Sequence, residues 1–185
     1  MNRKEKVTHN LERNNVCVCF AENKKCVVPI VDKLLEKGDI VATSNSISLF
    51  KCGIIEHLKC GKYNYLTRHK PKLPFNKLQD IYFDAFKADV FLCDCDAITE
   101  NGELYNVDCS SNKSAVLSYG PKRVIVVVGW NSIVKDIDEA ISIVRRNAVL
   151  NKACKTRFYD GADRKGLGLS CQKGRINVIV VEENL

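Results

Sequence analysis

Nothing in this 185-residue chain approaches the roughly 18 consecutive apolar residues that a membrane-spanning helix needs. The most apolar run, Val124–Gly129, has the length of one buried strand. No apolar stretch follows the basic opening Met1-Asn2-Arg3-Lys4-Glu5-Lys6, so a secretory signal is not expected. The ten cysteines then read as reduced thiols of a cytoplasmic protein, not as a disulfide framework. Cys-x-x-Cys is absent, which argues against a zinc or iron–sulfur centre. Histidine is scarce. His9, His57 and His69 are scattered and give no Ser/His/Asp or Cys/His arrangement. There is no nicotinamide, flavin or cluster motif, so no cofactor and no metal are expected. Nor is there an internal repeat, a low-complexity tract or a continuous basic run. The last absence argues against bulk nucleic-acid binding.

What is present is the balance of a globular chain, 45% apolar and 28% charged. The length fits one domain over 1–185, with a helical segment at 1–15 and an irregular one at 151–175. The net charge of +7 is unevenly spread. Residues 51–77 carry seven Lys/Arg against one acid, and residues 81–108 carry seven acids against one lysine. An acidic centre between basic segments suggests a site for a small anionic metabolite. The lysines of 59–77, with Tyr63, Tyr65 and Phe75, read as a solvated face and not as a nucleic-acid patch.

Periodicity predicts alternating strands and helices. Strands are expected at 16–20, 39–43, 63–67, 89–93, 103–107, 123–128 and 176–181. Helices are expected at 22–37, 47–52, 54–59, 75–87, 111–119 and 136–150. That alternation calls for an α/β fold, a three-layer α/β/α sandwich around a mostly parallel sheet. Ligands in such folds sit beyond the carboxyl ends of the strands. Four loops are therefore candidate walls: Thr43–Ser46, Cys93–Gly102, Asp108–Lys113 and Gly129–Ser132. The strands ending near Thr43, Cys93 and Val128 are expected to be neighbours.

Three motifs occur in order: Asp96-Ala97-Ile98-Thr99-Glu100-Asn101-Gly102-Glu103-Leu104, then Asp108 with Asn112-Lys113, then Gly120-Pro121-Lys122 running into Val124–Gly129 and Asn131. Asn10-Leu11, Asn14-Asn15 and Ser46–Leu49 fit the front end. Together these resemble the LUD domain, the family of lactate utilization protein C. The resemblance covers most of residues 7–150 and more weakly the tail. It implies the fold of glucosamine-phosphate deaminase, ribose-phosphate isomerase and the CoA transferases (NagB/RpiA/CoA transferase-like). It also implies a part in oxidation of lactate to pyruvate, beside iron–sulfur oxidoreductase subunits and flavin-type partners. The chain departs from the family pattern at several points. Ala42-Thr43-Ser44-Asn45 replaces a Gly-x-Gly turn, Asp96 replaces Asn, Lys113 replaces Arg and Ser132 replaces Lys. Asp96 resembles the catalytic Asp of isomerases sharing this fold, but the Lys of those enzymes is Val107 here.

The resemblance makes Asp96 and Glu100 the candidate catalytic pair, since neighbouring carboxylates suit acid/base work. Candidate ligand-binding residues are Ser44, Asn45, Ser46, Thr99, Asn101, Gly102, Asp108, Asn112, Lys113, Gly129 and Asn131. Asn112 and Lys113 open a helix, where free N–H groups and a cation suit a carboxylate or phosphate. Cys17 and Cys19 read as core thiols. A metal or redox role is left open for Cys93, Cys95, Cys109, Cys154 and Cys171. Two readings stand: an anion-binding subunit or regulator, or a stand-alone isomerase or CoA-transferase-like enzyme using Asp96 and Glu100. Self-association is left open as well.

Overall fold

The computed structural model describes residues 1–68, 74–107, 112–151 and 173–185. The expected His69 loop, together with Asp108, Cys109, Ser111, Cys154, Cys171 and most of the segment 151–175, lies outside the described residues.

Helix α1, Arg3–Arg13, starts at a capping box. The Asn2 side chain accepts from the Glu5 N–H at 2.8 Å, and the Asn2 N–H donates back to the Glu5 carboxylate at 2.9 Å. Its Val7 and Leu11 are buried. Strand β1 is Cys17–Ala21, and helix α2 is Val27–Leu34. The expected helix over 22–37 is thus trimmed at both ends. Pro29 has no N–H, so it fits only in a first helical turn. A short 3₁₀ turn at Lys24–Cys26 leads in, and Leu35 is already extended.

The chain continues through β2 (Ile40–Thr43), α3 (Ile47–Lys51), α4 (Ile54–His57), β3 (Asn64–Leu66), α5 (Phe75–Lys87) and β4 (Val90–Cys93). Then come β5 (Ala97–Thr99), β6 (Leu104–Tyr105), α6 (Asn112–Tyr119), β7 (Arg123–Gly129), β8 (Ile133–Val134), α7 (Ile137–Asn151) and β9 (Ile176–Val181).

Six strands form one parallel sheet in the order β1-β9-β7-β4-β2-β3. As expected, β2, β4 and β7 are adjacent, with Thr43 opposite Leu92 and Cys93 opposite Val126. Strand β4 is buried throughout and β7 from Val124 on, which is why both read as unbroken apolar runs. Alternate residues face opposite layers. Phe91, Val124, Val126 and Val178 pack with Val7 and Leu11 of α1, Ala85 of α5 and Val116 of α6. On the other face, Val41, Leu92, Ile125 and Ile179 pack with Val27 and Val31 of α2, Leu49 of α3 and Ile54 of α4. These are the three layers of the expected sandwich.

A second sheet, β6-β5-β8, joins the strand expected at 103–107, seen as β6, to two strands that were not expected, β5 and β8. Its centre, Ala97-Ile98-Thr99, lies in the stretch read as a loop, yet all three residues are buried. Strand β5 pairs antiparallel with β6 and parallel with β8. The pattern hid it because three residues flanked by Asp96 and Glu100 show no period.

Cys17 and Cys19 correct a second expectation. Strand β1 is an edge strand, so Cys17 is exposed and Cys19 half-buried, not core. Among the described residues, no helix is long and apolar enough to cross a membrane.

Candidate functional site

The chain leaves β2 toward β3 on one side, and leaves β4 toward β7 on the other. Adjacent parallel strands that send their connections in opposite directions open a crevice between their carboxyl ends. A pocket of about 340 Å³ lies there. Ala42, Thr43, Ser44 and Asn45 line it from β2 and its exit, Phe91 from β4, and Arg68 from the exit of β3. Ile81, Tyr82 and Ala85 of α5 form one wall; Val107 with Asn112, Lys113 and Val116 of α6 forms the opposite one.

Among the described residues, two cations line this pocket. Lys113 is nearly buried, its side chain 15% exposed, with its ammonium 3.3 Å from the Asp94 carboxylate. Burial alone would lower the Lys113 pKa. Asp94 and then Asp96 more than offset that, and the net shift is upward, so the ammonium is fully charged at neutral pH. Arg68 donates to the Tyr82 hydroxyl at 2.8 Å, and its guanidinium lies 4.9 Å from the centre of that ring.

Ser44 is 4% exposed. Its N–H donates to the Leu92 carbonyl at 2.9 Å, continuing the sheet, but its hydroxyl has no partner among the described residues. Buried polar groups are nearly always hydrogen-bonded, so an unpartnered hydroxyl in a pocket wall points to a ligand.

The sequence-predicted residues divide. Ser44, Asn45, Asn112 and Lys113 line the pocket. Ser46 does not. It is the N-cap of α3, its hydroxyl accepting from the Leu49 N–H at 3.2 Å. Asp96 is exposed and accepts from the Val107 N–H at 2.8 Å, close enough to Lys113 to act on its charge but not in the pocket lining.

Glu100 faces α1. Arg3 reaches it at 2.8 Å and Lys6 at 2.9 Å, and the Lys6 hydrogen bond leads in holding its carboxyl below the ordinary range. The Thr99 hydroxyl donates to the Glu103 carboxylate at 2.7 Å, closing the β5–β6 turn. Asn101 is exposed at the tip of that turn. Gly102 has φ +83°, and a Cβ there would come within 2.7 Å of the Asn10 backbone, so α1 packs directly on it. Asn10 and Asn14 donate to the carbonyls of Glu100 and Gly102 at 2.8 and 3.0 Å. Gly129 is in close contact with Asn131 and the residues after β9, where the Asn131 side chain accepts from the Leu185 N–H at 3.0 Å. None of the residues of 99–102, nor Gly129 or Asn131, lines the pocket.

Burial pushes both thiols of the Cys93–Cys95 pair up, that of Cys95 to about 12, so they are protonated and unreactive at neutral pH. The Cys95 thiol sits 3.0 Å from the Ala97 carbonyl and 3.2 Å from that of Tyr105, bridging β5 and β6. Among the described residues, no group of three His, Cys, Asp or Glu side chains is placed to hold a metal ion.

Sequence reasoning missed Arg68, Tyr82 and Phe91. Arg68 belongs to the segment read as a solvated face, yet it is half-buried over Tyr82. A partial signal was available: Arg68 lies two residues beyond the carboxyl end of β3, where the strand-end rule applies, but that rule does not rank it above the neighbouring lysines.

The chain is similar to a solved structure of a DUF162 family protein from Deinococcus radiodurans, with a TM-score of 0.53 and 17% identity over 98% of this chain and 99% of that one. At that identity the likeness speaks for the fold. No curated protein sequence matches the chain. The family model described as the LUD domain matches residues 4–181, nearly the whole length. The chain belongs to the LUD domain family.

Proposed function

We propose that this chain is a binding subunit or regulator in the oxidation of lactate to pyruvate, working in the cytoplasm beside iron–sulfur oxidoreductase subunits. Its ligand is a small anionic metabolite held in the switch-point pocket. The pathway comes from the family resemblance. The binding comes from one arrangement: Arg68 and Lys113 line the same pocket as a buried Ser44 hydroxyl that has no partner among the described residues. Arg68 supplies attraction beside the Asp94-paired Lys113, and the Ser44 hydroxyl supplies direction.

The enzyme alternative draws less support. Glu100 is ionised and paired with Arg3 and Lys6, and an acid/base catalyst works best with a pKa near the operating pH.

Thermal melts with lactate, pyruvate, sugar phosphates and CoA test the binding. A ligand at 100 times its Kd stabilises by about 2.7 kcal/mol. For a domain of this size that raises Tm by roughly 5–10 °C. At least one anion should produce the shift, and Lys113→Met should remove it. No shift with any of them at millimolar concentration would refute the reading.

A further inference from the structure

We infer that the occupant of the switch-point pocket is an organic monocarboxylate with an apolar body larger than that of lactate. This inference rests on the anion-binding reading and narrows it.

Charge sets the first limit. Lys113 is already matched by Asp94 at 3.3 Å. Arg68 makes its contacts with the hydroxyl and ring of Tyr82, and no carboxylate among the described residues pairs with it. Asp96 adds a second negative charge near Lys113, so among the described residues Arg68 is the cation left for the ligand. A single carboxylate balances it. The second charge of a phosphate monoester would sit in a partly desolvated pocket without a counter-charge, and unpaired buried charge is costly.

The hydrogen-bonding groups agree. A carboxylate has two oxygens. One can take the planar fork of Arg68 and the other, after a turn of the Ser44 side chain toward the pocket, the Ser44 hydroxyl, whose oxygen is buried and unpartnered among the described residues. Both groups line the same pocket.

Size and lining set the second limit. The pocket holds about 340 Å³. Lactate has about six non-hydrogen atoms, roughly the bulk of three to four waters at ~30 Å³ each, and fills about a third of that space. Ile81, Ala85, Phe91 and Val116 are among the residues that line it. Those walls offer lactate little but would strip water from an aromatic or branched chain of four to eight carbons, and each buried methylene multiplies affinity about fourfold.

Isothermal titration of the purified full-length chain at pH 7.5 tests this with L-lactate, 3-phenyllactate and phenyl phosphate, the last close to a dianion at that pH. Phenyllactate should bind at least tenfold tighter than lactate and tenfold tighter than phenyl phosphate. Arg68→Met should abolish measurable binding of phenyllactate, and Ser44→Ala should weaken it at least tenfold. Tighter binding of phenyl phosphate, or lactate equal to phenyllactate, would overturn the inference. Binding of sugar phosphates or CoA but of neither acid would overturn it while sparing the anion-binding reading. Binding of none of these anions would overturn both.

Discussion

Ser44→Ala should make the free protein more stable and the liganded protein less so. The Ser44 hydroxyl is buried, and among the described residues it has no hydrogen-bond partner. A buried polar group left unsatisfied costs about 1–3 kcal/mol, so deleting the oxygen should recover about 1 kcal/mol after the small loss of packing. The backbone is untouched, because the bond from the Ser44 N–H to the Leu92 carbonyl remains. For a chain of this length, 1 kcal/mol is about 2–4 °C in Tm. The same change removes a hydrogen bond to a charged ligand, worth about 1.5–3 kcal/mol, or roughly 10- to 150-fold in affinity. Ser46, two residues on, provides the control. Its hydroxyl caps α3 by accepting from Leu49, so Ser46→Ala should lower stability by about 1 kcal/mol. The assay is thermal and urea melting of the three proteins with and without the best-binding anion. If Ser44→Ala melts lower than wild type without ligand, the hydroxyl is already satisfied and the reasoning fails. An unchanged ligand shift in Ser44→Ala would refute the placement of the anion.

Glu100→Gln should destabilise the chain at pH 7 by weakening its ion pairs to Arg3 and Lys6. The folded pKa of Glu100 is lowered, so its contribution is present above the unfolded value and lost as pH falls through the folded one. The gap between wild type and variant in urea melts should therefore begin to narrow as pH falls below about 4, the ordinary glutamate range, and a gap that widens there would contradict this. Gly102→Ala should cost at least about 1–3 kcal/mol, since its φ is +83° and the new methyl would lie 2.7 Å from the Asn10 backbone; a melt within 1 °C of wild type would show that α1 can move aside. Asp96→Asn keeps an acceptor for the Val107 N–H, so ligand binding and pathway activity should stay within about twofold. A drop of about 10²–10⁴-fold in turnover with an unchanged ligand shift would instead make Asp96 a proton-transfer group.

The main sheet was legible because its central strands are buried on both faces. Such strands must be apolar throughout, and Arg123–Gly129 and Ile176–Val181 announce themselves as runs. Helix α5, Phe75–Lys87, was placed to the residue. Of the small sheet, β6 falls inside the expected strand at 103–107, but β5 and β8 escaped because they are two or three residues long, shorter than one detectable period. What holds β5 is supplied by pairing with Ile133 and Val134, some 35 residues away, and no local pattern carries that. The over-long second helix has a different cause. Its apolar spacing is genuine, but Pro29 limits where an α-helix can begin, and that backbone constraint outranks periodicity.

The candidate site shows where a sequence pattern stops being informative about chemistry. Glu100 and Gly102 stand in the stretch that resembles the LUD motif most closely, beside the Asn10 and Asn14 of its front end. The structure brings these two parts into contact: both asparagines donate to the carbonyls of that turn, and α1 packs on Gly102 where no side chain fits. Each of these residues has a part in packing or hydrogen bonding. The pocket is a different set. Ser44 and Lys113 could be found because they follow a strand or open a helix. Arg68 could not be ranked above its neighbouring lysines, because its place depends on β3 lying beside β2, and strand order is not written in any local spacing. Of the two cations that line the pocket among the described residues, the one without a carboxylate thus lies outside the motif, and the motif's Glu100 is paired with α1. A change at Arg68 should therefore alter ligand binding with little effect on stability, and a change at Glu100 should do the reverse. If both variants lose stability and binding together, the scaffold and the pocket are one cooperative unit and this division does not hold.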